Sequence, residues 1–344
     1  MRIAVVNTQV PFVRGGAEQL ADWLVDHLRE HGHQADLVKL PYRWDPMQKL
    51  LEHALAARLT RLADVDRVIA FKFPSYCIPH EDKVLWVLHQ FKPAYEAWGT
   101  PYGLPDTSEG RYVRSRIMEA DNRVLAEARR VYTISDVVAR RLRAFSGVEA
   151  AVLYPPLGDE RAYYSGESSN YLFFPSRINP IKRQWLAVEA MRHVTSDVRL
   201  VLAGDADLRG TALDQVSKLV DDPALRGRVE LLAGWLPEER KLELLAHSLG
   251  VLFPPHDEDY GYVTLEGFLA VKPVITCTDS GGPLELVEHG VSGLVAEPDP
   301  WSIAQAIDSL AAEPERAAQM GMSGRERVRA LGIDWNHVVR ELTA

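Results

Sequence analysis

Two glutamates eight positions apart, Glu258 and Glu266, lie in HDEDYGYVTLEGF, and two cations five positions apart, Arg177 and Lys182, lie in FPSRINPIKRQW. In a helix beginning near Tyr262, Glu266 is expected in the first turn, where a carboxylate is favoured electrostatically and can accept two hydroxyl hydrogen bonds, as a ribose offers. Glu258 lies upstream of the turn at Gly261 and can point at a different part of the same ligand. Between them, the backbone N–H groups around Tyr262 and Val263 are placed to meet phosphate oxygens. Arg177 and Lys182 on one loop can clamp a diphosphate: a cation and a phosphate charge about 4 Å apart attract by about 4 kcal/mol at an effective dielectric near 20, and exposure to solvent lowers that greatly. A solvated basic loop is the alternative for this pair.

Weaker signals accompany these. Gly15 and Gly16 stand where a helix starts after RIAVV, so an anion or sugar oxygen could approach the backbone, although a plain turn also explains them. LAGDADLRG carries Gly204 with Asp205 and Asp207. Asp205/Asp207 and Asp257/Asp259 resemble metal-binding pairs, but carboxylates at helix-starting loops also cap N–H groups, and no metal is assigned. Trp235, after VELLAGW, could lie against a flat base or fill a core. His89 ends KVLWVLH at a strand terminus, as a catalytic or a structural histidine. TDSGGPLELV adds Gly281 and Gly282 ahead of Glu285 as a second glycine-rich helix start. Nine arginines between Arg111 and Arg143 read as solvated helix faces, with an acidic acceptor or an anionic membrane surface as the alternative.

The elements that position these residues follow from hydrophobic periodicity. RIAVV, ADLVKL, DRVIAF, KVLWVLH and RVYTIS alternate with helical stretches, the first being GGAEQLADWLVDHLREHG closed by Gly32, which is the pattern of parallel strands and crossover helices. AVLYPPLGDE, with Pro155 and Pro156, reads as a linker. The alternation restarts with NYLFFPSR, VRLVLAGD, VELLAGW, LGVLFPP, PVITCT and GLVAEP. Helical sequence from Trp301 to Leu331 follows, and DWNHVVRELTA opens with Asp334 as a helix N-cap. The expected fold class is therefore α/β, two Rossmann-like doubly wound domains facing across a cleft at their carboxyl edges, where ligands bind.

The 344 residues suit two domains, and 47% hydrophobic with 25% charged residues describes an ordinary globular chain. A formal charge of -9 argues against a nucleic-acid partner. Cys77 and Cys277 form neither a disulfide framework nor a metal pair, and MRIAVVN lacks the features of a secretory leader, so a cytoplasmic location is expected, with peripheral membrane attachment left open. No GxGxxG follows any of these strands, which disfavours a dinucleotide-dependent dehydrogenase. Oligomeric state is not specified by the sequence.

Over nearly its whole length the chain resembles the retaining glycosyltransferases of GT-B fold, especially the large family four. The residues that carry the resemblance are Gly15-Gly16, His89, SRINPIK, the Glu258/Glu266 pair at the family's E-x7-E spacing and SGGPLELVEHGVSGLVAEP. The resemblance implies transfer of a sugar, with its anomeric configuration retained, from a nucleoside-diphosphate donor (a UDP or GDP sugar) to a glycan, glycolipid or small-molecule acceptor, with neither metal nor cofactor. It implies diphosphate on Arg177 and Lys182, ribose on Glu266, donor sugar near Glu258, His89 against the sugar, and Gly16 against diphosphate or sugar. An acceptor-side domain of residues 1–155, rejoined by a crossover at about 331–344, and a donor domain of 156–330 follow from it. The loop GDAD, where GDGP is common, and Gly267-Phe268 beside the second glutamate depart from the family pattern. A sugar-nucleotide epimerase, an inverting transferase or a silent sugar-nucleotide-binding protein are the competing assignments.

Overall fold

The computed structural model describes residues 1–12, 15–206 and 211–344, which divide into two compact units, Met1–Gly158 with Ile333–Ala344, and Asp159–Gly332. Among the described residues, the first unit holds a six-stranded parallel sheet of β1 (Arg2–Gln9), β2 (Gln34–Pro41), β3 (Arg67–Lys72), β4 (Lys83–His89), β5 (Arg130–Thr133) and β6 (Ala151–Val152), in the order β2-β1-β3-β4-β5-β6. Its helices are α1 (Gly16–Glu30), α2 (Lys49–Leu59), α3 (Ser108–Ala126) and α4 (Asp136–Ser146). Ala151 and Val152, expected in a linker, instead pair in parallel with Tyr132 and Thr133. A strand of two residues is too short to show an alternation, and only the neighbouring strand fixes it. The break comes after Leu153, whose N–H still donates to Thr133 O at 2.8 Å.

The second unit contains α5 (Gln184–Ala190), α6 (Thr211–Val220), α7 (Glu238–Ala246), α8 (Tyr262–Leu269), α9 (Pro283–Leu286), α10 (Pro300–Ala312) and α11 (Pro314–Ala330). Its strands, β7 (Tyr171–Pro175), β8 (Arg199–Gly204), β9 (Val229–Ala233), β10 (Gly250–Leu252), β11 (Val274–Cys277) and β12 (Gly293–Ala296), form a parallel sheet in the order β12-β11-β10-β7-β8-β9. Successive strands leave β7 in one direction and return on its other side from β10. The β7/β10 junction is thus a topological switch point, where crossover loops part and leave a crevice at the carboxyl ends.

The inner strands β1, β3, β4, β7, β8, β10 and β11 are buried on both faces, which is why they read as continuous apolar runs. Phe173 and Phe174 of β7 and Leu252 of β10 are fully buried. In the first unit Trp86 is fully buried and donates from Nε1 to Leu153 O at 2.8 Å. The last helix, α12 (Trp335–Thr343), starts at Asp334, whose carboxylate accepts from His337 N at 2.8 Å. Trp335 docks it onto α1 by stacking on His27 at 4.5 Å between centroids and donating to Leu157 O at 2.8 Å.

One buried acid in the first unit has a consequence for stability. Asp121 of α3 is fully buried, accepts from Tyr95 Oη at 2.7 Å, and has no partner for Oδ1 among the described residues. Burial pushes its carboxyl up to about 7, against the opposing effect of its hydrogen bonds. Between about pH 4 and pH 7 the folded state therefore holds a proton that the unfolded chain has released, and stability falls as pH rises through that window. Asp121→Asn is expected to remove this slope and to stabilise the protein by on the order of 4 kcal/mol at pH 8 relative to its effect at pH 4. Urea unfolding at the two pH values checks it, and parallel pH dependences in both proteins would refute the assignment.

Candidate functional site

The switch point of the second unit is built by three loops tied to one another. The loop after β7 ends in Arg183, which holds a left-handed backbone (φ 57°) and caps α5. Its guanidinium is buried, donates from Nε to Pro254 O and from Nη2 to Pro255 O, both at 2.8 Å, and forms a fork on Asp279 at 2.8 and 2.6 Å. One side chain thereby joins the loops after β7, β10 and β11. Burial opposes the charge on Asp279, but Arg183 and His256 prevail and hold its carboxyl below the ordinary carboxylate range. Arg183 was not singled out from the sequence. The available signal was the Pro254-Pro255 pair, whose buried carbonyls need a donor from elsewhere in the fold.

These ties place Lys182 and Glu258. The Lys182 N–H donates to Asn179 Oδ1 at 2.9 Å, while His256 N donates to Ile181 O at 2.8 Å, so the β10 loop runs beside the residue preceding the lysine. Glu258 is fixed through its backbone: its N–H donates to Ser280 O at 3.0 Å and its carbonyl accepts from Gly282 N at 2.8 Å. A Cβ at Gly281 would stand 2.5 Å from Glu258 O, and one at Gly282 2.6 Å from Tyr260 O, so the two glycines are what allow this approach. They stand at a helix start as expected, Gly282 being the N-cap of the four-residue α9, and they also provide this close backbone contact. The outcome is a direct ion pair between Lys182 Nζ and Glu258 Oε2, with the ammonium 5.2 Å from the centre of the Phe253 ring. The sequence placed both residues at the site but did not pair them.

Arg177 lies on the same loop as Lys182, exposed, and its side chain has no hydrogen bond or ion pair among the described residues. Gly204, expected on a loop, closes β8. A Cβ there would lie 2.1 Å from Ser176 O, so the residue lets the loop carrying Arg177 run against the end of β8. Asp205 accepts at its carbonyl from Ile178 N at 2.8 Å. Asp207 lies outside the described residues. Trp235 is 81% exposed in the connection between β9 and α7, which removes the core alternative.

α8 begins as expected at Tyr262, after Gly261 in the left-handed region (φ 93°), and Val263 is buried in its first turn. Glu266, however, is its fifth residue and stands in the second turn, so the helix N-terminus does not hold its charge as expected. Instead Glu266 Oε1 accepts from Lys241 Nζ at 2.9 Å and from Tyr163 Oη at 3.3 Å. Neither donor was recognised, because Lys241 sits on α7 and Tyr163 at the start of the unit, far from Glu266 in sequence. Burial works against the Lys241 ammonium, but Glu266 and Glu238 outweigh it and raise its pKa, whereas burial followed by Glu266 raises that of the Tyr163 hydroxyl. The departures at Gly267 and Phe268 are packing: a Cβ on Gly267 would meet Val251 and Val274 at 3.1 Å, and Phe268 fills the space over Gly324 of α11.

In the first unit Gly15 is the extended N-cap of α1 and Gly16 its first residue. The Gly15 N–H, expected to face a ligand, donates to Glu18 Oε2 at 2.9 Å, and Glu18 Oε1 pairs with Lys72 at the end of β3 at 3.2 Å. A glutamate at the third helical position reaches back to its cap, so this amide is satisfied within the chain. His89 ends β4 half-buried, its Nδ1 2.6 Å from Gln90 O. With Gln90, Glu96 and Arg141 it lines a small pocket, in which Arg141 and Glu96 are 3.5 Å apart. No group of three or more His, Cys, Asp and Glu residues among the described residues is arranged to hold a metal ion. No helix among them is long and apolar enough to cross a membrane.

Two parallel sheets, one with a switch-point crevice walled by a lysine–glutamate pair and an exposed arginine, define a doubly wound α/β protein of the two-domain GT-B class. The model of the glycosyl transferases group 1 matches residues 159–327, which lie within the second unit. Human alpha-1,3/1,6-mannosyltransferase ALG2 is 36% identical over 136 residues, 38% of this chain and 32% of that protein. The chain thus spans about a third of the length of the curated relatives that it first matches. Among solved structures, a sucrose-phosphate synthase from Thermosynechococcus elongatus shares the fold with a TM-score of 0.80 and 18% identity over 100% of this chain and 98% of that one. Anabaena HepE, solved in complex with UDP and glucose, does so with a TM-score of 0.73 and 16% identity over the same shares.

Proposed function

We propose that the protein is a retaining glycosyltransferase that moves a sugar from a nucleoside-diphosphate sugar to an acceptor hydroxyl in the assembly of a glycan, polysaccharide or glycolipid. The observation that carries this reading is the Lys182–Glu258 pair beside Arg177 at the switch point of a glycosyl transferases group 1 unit. As the bond from the anomeric carbon to the diphosphate breaks, negative charge grows on the departing phosphate, and fixed cations meeting that charge lower the barrier. Lys182 and Arg177 take that role. Glu258 meets the donor sugar, Glu266 a ribose hydroxyl, and the exposed Trp235 ring offers a flat apolar face to the base. Gly204, Gly261 and the α8 N–H groups at Tyr262 and Val263 border the diphosphate, and Gly16 and His89 are the first unit's candidates.

The acceptor hydroxyl attacks the face from which the diphosphate leaves and gives its proton to a departing phosphate oxygen, so the product keeps the donor's anomeric configuration without a nucleophilic carboxylate. The UDP in the HepE complex supports a UDP sugar as the first donor to try, with GDP sugars second. Incubation with these donors and an acceptor panel, with the product's anomeric coupling read by NMR, tests the reading. An inverted product or the absence of any transfer or donor hydrolysis would overturn it. With the charge met by side chains and N–H groups, turnover is expected to persist within about twofold in EDTA. Loss of activity in chelator, restored by magnesium or manganese, would refute the metal-free scheme.

A further inference from the structure

The fold treats the two carboxylate oxygens of Glu266 differently. Oε1 receives both internal donors, Lys241 Nζ at 2.9 Å and Tyr163 Oη at 3.3 Å. Oε2 has no partner among the described residues, yet is not sealed from solvent. Both donors are themselves anchored. Lys241 also pairs with Glu238 one turn earlier on α7 at 2.8 Å, and Tyr163 is 9% exposed. A carboxylate gripped at one oxygen by an ammonium and a phenol cannot rotate without leaving a mostly buried cation unpaired, which is costly.

We propose that Lys241 and Tyr163 are positioning residues that fix Glu266 with Oε2 as its only ligand acceptor, and thereby set the discrimination of the site for a ribose hydroxyl. The proposal rests on the donor reading given above. Its chemistry is selective because a hydrogen bond to a fixed, ionised acceptor is lost outright by a ligand lacking the hydroxyl, whereas a carboxylate free to swing can rehydrate. Neither residue touches the bond that breaks, so their effect belongs in donor affinity and not in the chemical step.

The test is titration calorimetry of the full chain with UDP and GDP, each against its 2′,3′-dideoxy counterpart, for the wild type, Lys241→Met, Lys241→Arg and Tyr163→Phe. The wild type is expected to bind its preferred ribonucleotide about tenfold to a hundredfold more tightly than the dideoxy form. In Lys241→Met that ratio should fall to about threefold or less through weaker ribonucleotide binding, with kcat at saturating donor within about twofold of wild type. Lys241→Arg should restore most of the ratio, and Tyr163→Phe, which keeps the ring in place, should lie between. A full ratio in both Lys241→Met and Tyr163→Phe would overturn the positioning role while leaving the donor site intact. Equal wild-type affinity for the ribo and dideoxy forms would overturn the Glu266 assignment as well. Absence of any nucleoside diphosphate binding would overturn this proposal together with the proposed function.

Discussion

Lys182→Ala is expected to lower kcat/KM about a hundredfold, the effect of withdrawing about 3 kcal/mol of stabilisation from the departing diphosphate. This ammonium is paired with Glu258, and the two side chains are only 17% and 21% exposed. The site thus already holds the lysine in a partly desolvated position, where a charge that appears during the reaction is met without reorganisation. Because the pair keeps some contact with water, losing the lysine should cost little stability, and the variant should melt within about 2 °C of wild type. Steady-state kinetics with the preferred donor, run beside a thermal melt, separates the two effects. An unchanged kcat/KM in a folded variant removes Lys182 from the mechanism.

Arg183→Met should produce the largest loss of stability. The guanidinium donates four hydrogen bonds across three loops, to Pro254 O, Pro255 O and both oxygens of Asp279, from a buried position. Breaking a buried pair from one side leaves the partner charge and the carbonyls without donors, at about 3 kcal/mol given that Asp279 is partly open to solvent. For a unit of this size that corresponds to a fall of about 6 to 12 °C in melting temperature. Arg183→Lys should recover only part of it, since an ammonium lacks the planar fork. Differential scanning calorimetry reads both, and a fall of less than about 2 °C for Arg183→Met would show that the loops are held by other means. Activity should fall as well, because the same bonds keep the β7 and β10 loops, and hence Lys182 and Glu258, together.

The alternation of apolar runs with helical stretches was sufficient to assign two parallel α/β sheets, because a strand buried on both faces must be continuously hydrophobic. Helix ends at Asp334, Gly32 and Gly261 were legible for a similar local reason: cap residues act within a turn of where they stand. Ala151–Val152 was not legible, since two residues carry no period. Nor was the turn occupied by Glu266 secure, because element boundaries depend on a cap geometry that sequence locates only to within a few residues.

The sequence by itself determined the two-sheet architecture and which loops carry the polar residues Arg177, Lys182 and Glu258, for those follow from local period and composition. Tertiary structure alone decided who meets whom: Lys182 with Glu258, Glu266 with Lys241 and Tyr163, and Arg183 across three loops. An ion pair or buried hydrogen bond between residues 25 to 103 positions apart, as for Lys241, Lys182 and Tyr163, leaves no periodic trace in the chain. It exists only once strand order has brought separate loops to the same edge of the sheet.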